Sequence, residues 1–248
     1  MEPLRLIRRS FPEQPELSTA VSQAILNRVA AGELPATARV HVPGREVAFG
    51  RQDAAAPGFE RAAEAARAAG FTAAVRLAGG RATVFHEGTV AVARAYPDPE
   101  PPRRTYRRFE EMAGVVRRAL VRLGIEAEVG EVPGEYCPGA YSVGVAGSRK
   151  LAGIGQRMIR GGAHVGIVVV ASGEDAIREV LVPVYSELGL EWDPATSGSV
   201  SAELGREVPA GEVTDAVVAE LGAGHDLVEA DVDPETMSLA ERLLSDGR

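Results

Sequence analysis

Gly147-Ser148-Arg149-Lys150-Leu151-Ala152-Gly153-Ile154-Gly155-Gln156-Arg157 places a lysine at the start of a strand-like run, follows it with small residues and spaces its glycines closely. Glycines in a strand let a ligand come near bare backbone. A cationic head beside exposed N–H groups suits an oxygen-rich, partly anionic group such as an acyl carbonyl or a phosphate. A glycine-rich hairpin with a solvated lysine fits the same letters. The stretches on either side bear on that choice.

Tyr141 to Val145 and Lys150 to Ile154 read as a hairpin across Ala146-Gly147-Ser148, and Val165 to Ala171 is an apolar run that reads as a buried strand. Upstream, Tyr106 to Leu123 is the clearest helix, with Phe109, Met112, Ala113, Val116, Ala119, Leu120 and Leu123 on one stripe. Glu16 to Val29 and the alanine-rich Phe59 to Ala69 also have helical spacing. Strands are expected at Ala38 to Phe49 (two, around Pro43-Gly44), Ala73 to Leu77, Thr83 to His86, Val90 to Tyr96 and Ile125 to Val129. Residues 1 to 14 and Pro97 to Pro102 read as irregular. Downstream, Glu174 to Leu188 is helical with a break at Pro183, and Glu212 to Leu221 and Pro234 to Leu244 are helices, the last capped by Asp233. The class is α+β: a central mixed or antiparallel sheet flanked by helices. Residues 1–248 read as one domain with a more polar helical flank from about 192.

Composition bounds the function. The 248 residues are 45% hydrophobic and 25% charged, with a net charge of −8. Excess acid argues against nucleic-acid binding; Arg103-Arg104 and Arg107-Arg108 form only a short basic cluster. Cys137 is the one cysteine, so no internal disulfide is possible and a reducing, cytoplasmic setting is expected. No run approaches the length of a membrane span. No metal site is expected.

Two further stretches carry chemistry. In Val75-Arg76-Leu77-Ala78-Gly79-Gly80-Arg81-Ala82-Thr83-Val84-Phe85-His86 a strand enters a double glycine flanked by arginines able to neutralise an anion. A glycine turn with a surface His86-Glu87 pair is the plainer reading. In Gly134-Glu135-Tyr136-Cys137-Pro138-Gly139-Ala140 a cysteine sits in a proline- and glycine-rich loop, where a nearby cation would make its thiolate reactive; Lys150 and Arg149 are candidates for that cation. A small buried hydrophobe is the alternative. His164 either faces a ligand or ends a loop ahead of the buried strand.

In this order the three stretches resemble the lipoate–protein ligase and octanoyltransferase family, which shares its catalytic fold with biotin–protein ligase. The resemblance rests on Arg76, Gly79, Gly80 and His86, on Arg149, Lys150, Ala152 and Gly153, and on His164 with Gly166. Val75 stands where many members have a second arginine. The resemblance implies transfer of a lipoyl or octanoyl group to one lysine of a lipoyl carrier domain, with no nucleic-acid or membrane partner. It implies an acyl tunnel walled by the double-glycine loop and the lysine strand. Lys150 would hold the acyl carbonyl or phosphate, and Arg76, Gly79, Gly80, His86, Arg149, Gly153 and His164 would bind substrate. Cys137 would form an acyl-thioester if the donor is a carrier thioester. An ATP-dependent ligase would need ATP and Mg2+ and no cysteine, with no covalently bound cofactor in either case. A non-catalytic acyl-binding relative is the reading from another class.

Overall fold

The computed structural model describes residues 2–145 and 147–246. Its larger sheet has eight strands, in the order β11-β1-β2-β6-β10-β9-β8-β7. They are β1 (Pro3–Ile7), β2 (Thr37–His41), β6 (Thr89–Pro97), β7 (Ala127–Val129), β8 (Val143–Val145), β9 (Arg149–Ile159), β10 (Gly162–Val170) and β11 (Asp226–Ala230). A smaller sheet, β4-β3-β5, combines β3 (Glu46–Phe49), β4 (Thr72–Val75) and β5 (Thr83–Phe85). β1 runs parallel to β2 and β11, β3 runs parallel to β4, and the remaining pairs are antiparallel, so the expected α+β mixed sheet is present.

The alternation of β10 explains the placement of the site. Val165, Ile167 and Val169 face a core shared with α4 (Thr105–Arg122), where Met112, Val116 and Leu120 supply the apolar stripe read from the sequence. His164, Gly166 and Val168 face the opposite way, toward a cavity. Successive side chains of a strand take opposite faces, so one nine-residue strand serves both. A second cluster packs the smaller sheet against α3 (Phe59–Ala68) and α5 (Glu174–Glu187), through Val47, Phe49, Ala62, Ala66, Ile177 and Val184. α1 (Pro15–Ala30) covers the sheet beside α8 (Pro234–Asp246).

Several local expectations are corrected. Residues 1 to 14 contain β1, which pairs with β2 beyond the intervening α1 and with β11 at Asp226–Ala230, more than 200 positions away, so no short-range signal marks it. The C-terminal flank adds β11 to the sheet as well as helices α6 (Val200–Leu204), α7 (Ala210–Gly224) and α8. Pro97 to Pro102 runs into a 3-10 turn at Pro101–Arg104. Gly50-Arg51-Gln52-Asp53, which reads from the sequence as a tight exit from the second strand, enters the short α2 (Arg51–Ala54). α5 passes through Pro183 unbroken; the carbonyl that loses its donor belongs to Glu179, an exposed residue one turn back on the same face as the exposed Pro183. The β8–β9 hairpin is present, although Ala146 lies outside the described residues. Among the described residues no helix is long and apolar enough to cross a membrane.

Candidate active site

The lysine motif owes its geometry to a bulge. Val143 pairs with Ala152, yet Gly144 pairs with Lys150, so Leu151 is the extra residue. An extra residue shifts the alternation of the strand by one. Leu151 and Ala152 therefore both enter the core, while Lys150 and Gly153 both face the cavity. Gly153 leaves room for the lysine: a Cβ there would sit 3.1 Å from Lys150 Cε.

Lys150 is 1% exposed, and its ammonium is surrounded by three consecutive residues. Nζ donates to the carbonyls of Tyr136 and Cys137, each at 2.9 Å, and lies 3.0 Å from Glu135 Oε2. It also stands 4.8 Å from the Tyr136 ring centroid. A buried ammonium is tolerated only when paired and hydrogen-bonded, and here its partners are the cysteine loop itself. Glu135 Oε1 ties the same loop further, accepting from Gly139 N and Ser142 Oγ.

Cys137 is half-buried and holds a left-handed φ of 44°. Its N–H donates to Tyr185 Oη at 2.8 Å, and that hydroxyl donates on to Ala82 O at 2.9 Å. Its sulfur receives Arg76 Nη2 at 3.1 Å and the Arg81 backbone N–H at 3.2 Å. Burial pushes the thiol pKa up. The charges of Arg76 and Lys150 and the two hydrogen bonds to sulfur outweigh it, leaving the thiol below its ordinary value.

The double-glycine loop lies over the sheet. Gly155, Gly166 and Ala93 are register neighbours on β9, β10 and β6, forming a floor almost without side chains. Gly79 N donates to Gln156 O at 3.1 Å, and a Cβ on Gly155 would stand 2.7 Å from Gly79 O. Gly80 sits against Arg76 and Cys137, where its own Cβ would lie 2.1 Å from Arg76 Nη2 and 2.9 Å from the sulfur. Asp53, fully buried, holds the far side through Arg81 Nη1 at 3.1 Å and Gly50 N at 2.9 Å.

Between these elements is a cavity of about 110 Å³. Arg76, Cys137, Lys150, Gly153 and His164 line it, and Leu77, Ala78, Ile154 and Val168 supply apolar wall. Gly79 and Gly80 shape the loop behind the wall. Burial holds His164 neutral, with its pKa lowered to about 4. Two of the residues singled out from the sequence stand elsewhere. Arg149 points outward into an ion pair with Glu203, and His86 is packed against Gly88 and Gly173 away from the cavity. The cation in contact with sulfur is thus Arg76, while Lys150 holds the loop's carbonyls. Glu135, Tyr185 and Asp53 carry no motif of their own in the sequence; their contacts with Lys150, Cys137 and Arg81 join residues well apart in the chain.

Residues 14–222 match the lipoyl protein ligase A/B catalytic domain family. An octanoyl-[GcvH]:protein N-octanoyltransferase of Geobacillus kaustophilus is 31% identical over 206 residues, covering 79% of this chain and 72% of the relative. The corresponding enzyme of Bacillus velezensis is 32% identical over 216 residues, covering 82% and 75%. Among solved structures, lipoate–protein ligase A bound with ATP superposes with a TM-score of 0.78 at 20% identity, covering 99% of this chain and 95% of that one. A bi-partite lipoate protein ligase of Thermoplasma acidophilum gives 0.75 at 18%, covering 99% and 93%. The chain belongs to the lipoyl protein ligase A/B catalytic domain family and is an enzyme of its octanoyltransferase branch.

Proposed function

From that membership we propose that the chain moves an octanoyl or lipoyl group from a carrier-protein thioester or amide to a lysine of a lipoyl domain, by way of a thioester on Cys137. The observation that carries this reading is the sulfur of Cys137, opening on an apolar cavity with a guanidinium and a backbone N–H against it.

In the first step the Cys137 thiolate attacks the acyl carbonyl carbon. The tetrahedral oxyanion collapses, the bond to the donor heteroatom breaks, and that atom leaves with a proton. In the second step the acceptor amine attacks the new thioester, loses a proton, and the Cys137 thiolate departs. Arg76 and the Arg81 N–H stabilise the sulfur anion before the first step and after the second. Lys150 fixes the loop that carries the nucleophile and adds positive charge beside it. The relatives' names support a protein-borne octanoyl group as donor, GcvH being the carrier, and a protein nitrogen as acceptor.

The test mixes octanoyl-GcvH, apo lipoyl domain and enzyme without nucleotide, and reads the mass of the domain. A gain of one octanoyl group without ATP supports transfer. A gain seen only with free octanoate, ATP and Mg2+ would assign the ligase chemistry instead.

A further inference from the structure

A thioester on Cys137 would stand beside an amine of the enzyme itself. Of the 27 lysine and arginine residues, Lys150 is the only lysine. Its Nζ bonds the carbonyl of Cys137 at 2.9 Å, its charge acts on the sulfur, and both side chains line one cavity. An alkylamine becomes an acyl acceptor once it gives up its proton. Held in place, an intramolecular nucleophile can reach effective molarities of about 10⁵–10⁸ M. In the resulting side reaction the ammonium loses one proton to water and the neutral nitrogen attacks the thioester carbonyl. The C–S bond breaks, its electron pair leaves on the Cys137 thiolate, and a second proton leaves the nitrogen. The product is an octanoyl amide on Lys150, more stable than the thioester it replaces.

Arginine offers no such route. The guanidinium of Arg76, 3.1 Å from the sulfur, stays protonated and supplies charge without a nucleophilic lone pair. Lys150 is the exception, and Glu135 stands against it. Glu135 Oε2 is buried, has no hydrogen-bond partner and faces Nζ at 3.0 Å, with both side chains fully buried. A carboxylate at that distance favours the charged ammonium, whereas the same burial without it favours the neutral amine. Oε1 accepts from Gly139 N and Ser142 Oγ, so the carboxylate is held where it is. Glu135 does not itself line the cavity, so it acts through Lys150 and the loop.

We propose that Glu135 is a positioning residue that protects the enzyme from its own acyl group: its carboxylate keeps Lys150 protonated, and the thioester on Cys137 survives until the lysine of a partner protein arrives. This rests on the covalent route through Cys137.

The test incubates wild type and Glu135→Gln with an octanoyl thioester, without nucleotide, and then treats the denatured proteins with hydroxylamine. Intact mass and peptide mapping read what remains, because hydroxylamine cleaves a thioester and spares an amide. Glutamine keeps an oxygen for Gly139 N and Ser142 Oγ and removes the charge. Wild type should lose all of its octanoyl group. Glu135→Gln should keep one octanoyl group on most of its molecules, mapped to Lys150, and should lose transfer activity as that amide accumulates. Glu135→Gln combined with Lys150→Arg should keep none. A purely structural role for Glu135 would lower stability without creating a resistant adduct. Should Glu135→Gln fail to fold, Glu135→Asp takes its place with the same expectation, its carboxylate drawn back by one methylene. A resistant group on Lys150 of wild type, or none on the folded Glu135 variant, overturns the protection and leaves the Cys137 route standing. Absence of any hydroxylamine-labile octanoyl group on wild type overturns the Cys137 route and the protection with it.

Discussion

Arg76 and Cys137 stand 61 positions apart in the chain and meet at 3.1 Å, guanidinium nitrogen to sulfur. Arg76 is buttressed by its bond to Arg81 O at 2.7 Å, so the charge is held on the sulfur rather than free to swing away. The first prediction concerns this contact. The rate of iodoacetamide alkylation against pH should inflect below that of a free cysteine in wild type, because the cations outweigh burial. Arg76→Met should move the inflection upward and slow thioester formation at neutral pH. An unchanged inflection would remove Arg76 from the role given to it.

The Lys150–Glu135 pair sets the loop in place with both side chains fully buried. Glu135→Ala leaves an uncompensated ammonium in the interior and should lower stability by about 3–5 kcal/mol in denaturant unfolding. The double variant Glu135→Leu with Lys150→Met should recover most of that stability without recovering transfer. Additive losses in the double variant would show that the two side chains do not act as a pair.

Glu46 makes stability depend on pH in a direction that can be worked out. Its folded pKa of about 7 lies above the ordinary value of 4.5, so the folded protein holds the proton more tightly than the unfolded chain. This term stabilises fully below pH 4.5 and is lost as pH rises through 7. Glu46→Gln should therefore gain up to about 3 kcal/mol over wild type at pH 8, relative to its difference at pH 4. A difference between the two proteins that does not change with pH would contradict this.

The glycines of the floor give a geometric prediction. Gly155→Ala would drive a methyl to 2.7 Å from Gly79 O, a backbone atom, so the double-glycine loop must lift. Gly153→Ala meets only the flexible end of Lys150, at 3.1 Å and 3.4 Å. Thioester formation should fall much further in Gly155→Ala than in Gly153→Ala, with both proteins folded by circular dichroism. Equal losses would mean the seating of the loop on the sheet is not what positions Arg76.

The parts legible in the sequence are those with local periodicity. The stripe of α4, the β8–β9 hairpin and the apolar β10 follow from spacing alone, and the class follows from them. β1 and β11 escape because they are short and pair across the length of the chain. In the site, Lys150 and Cys137 stood out as a lone lysine motif and a lone cysteine. The glycine pair read as an opening for a ligand. Gly79 in fact meets the β9 backbone, and Gly80 leaves space for Arg76 and the sulfur. Arg149 and Lys150 read as equivalent cations, yet they lie on opposite faces of one strand: Arg149 pairs with Glu203 and Lys150 faces the cavity. The bulge at Leu151 then brings Gly153 onto the cavity face beside Lys150. A bulge depends on the partner strand, so its effect on facing cannot be read from one strand's letters.

The proposed transfer passes through a covalent intermediate at one sulfur. Intact mass spectrometry of the protein after incubation with an octanoyl thioester, without nucleotide, measures it directly. One added octanoyl group, mapped to Cys137 and released by hydroxylamine, is expected, with neither adduct nor transfer for Cys137→Ser. Full transfer activity in Cys137→Ser, or an adduct on any other residue, would contradict it.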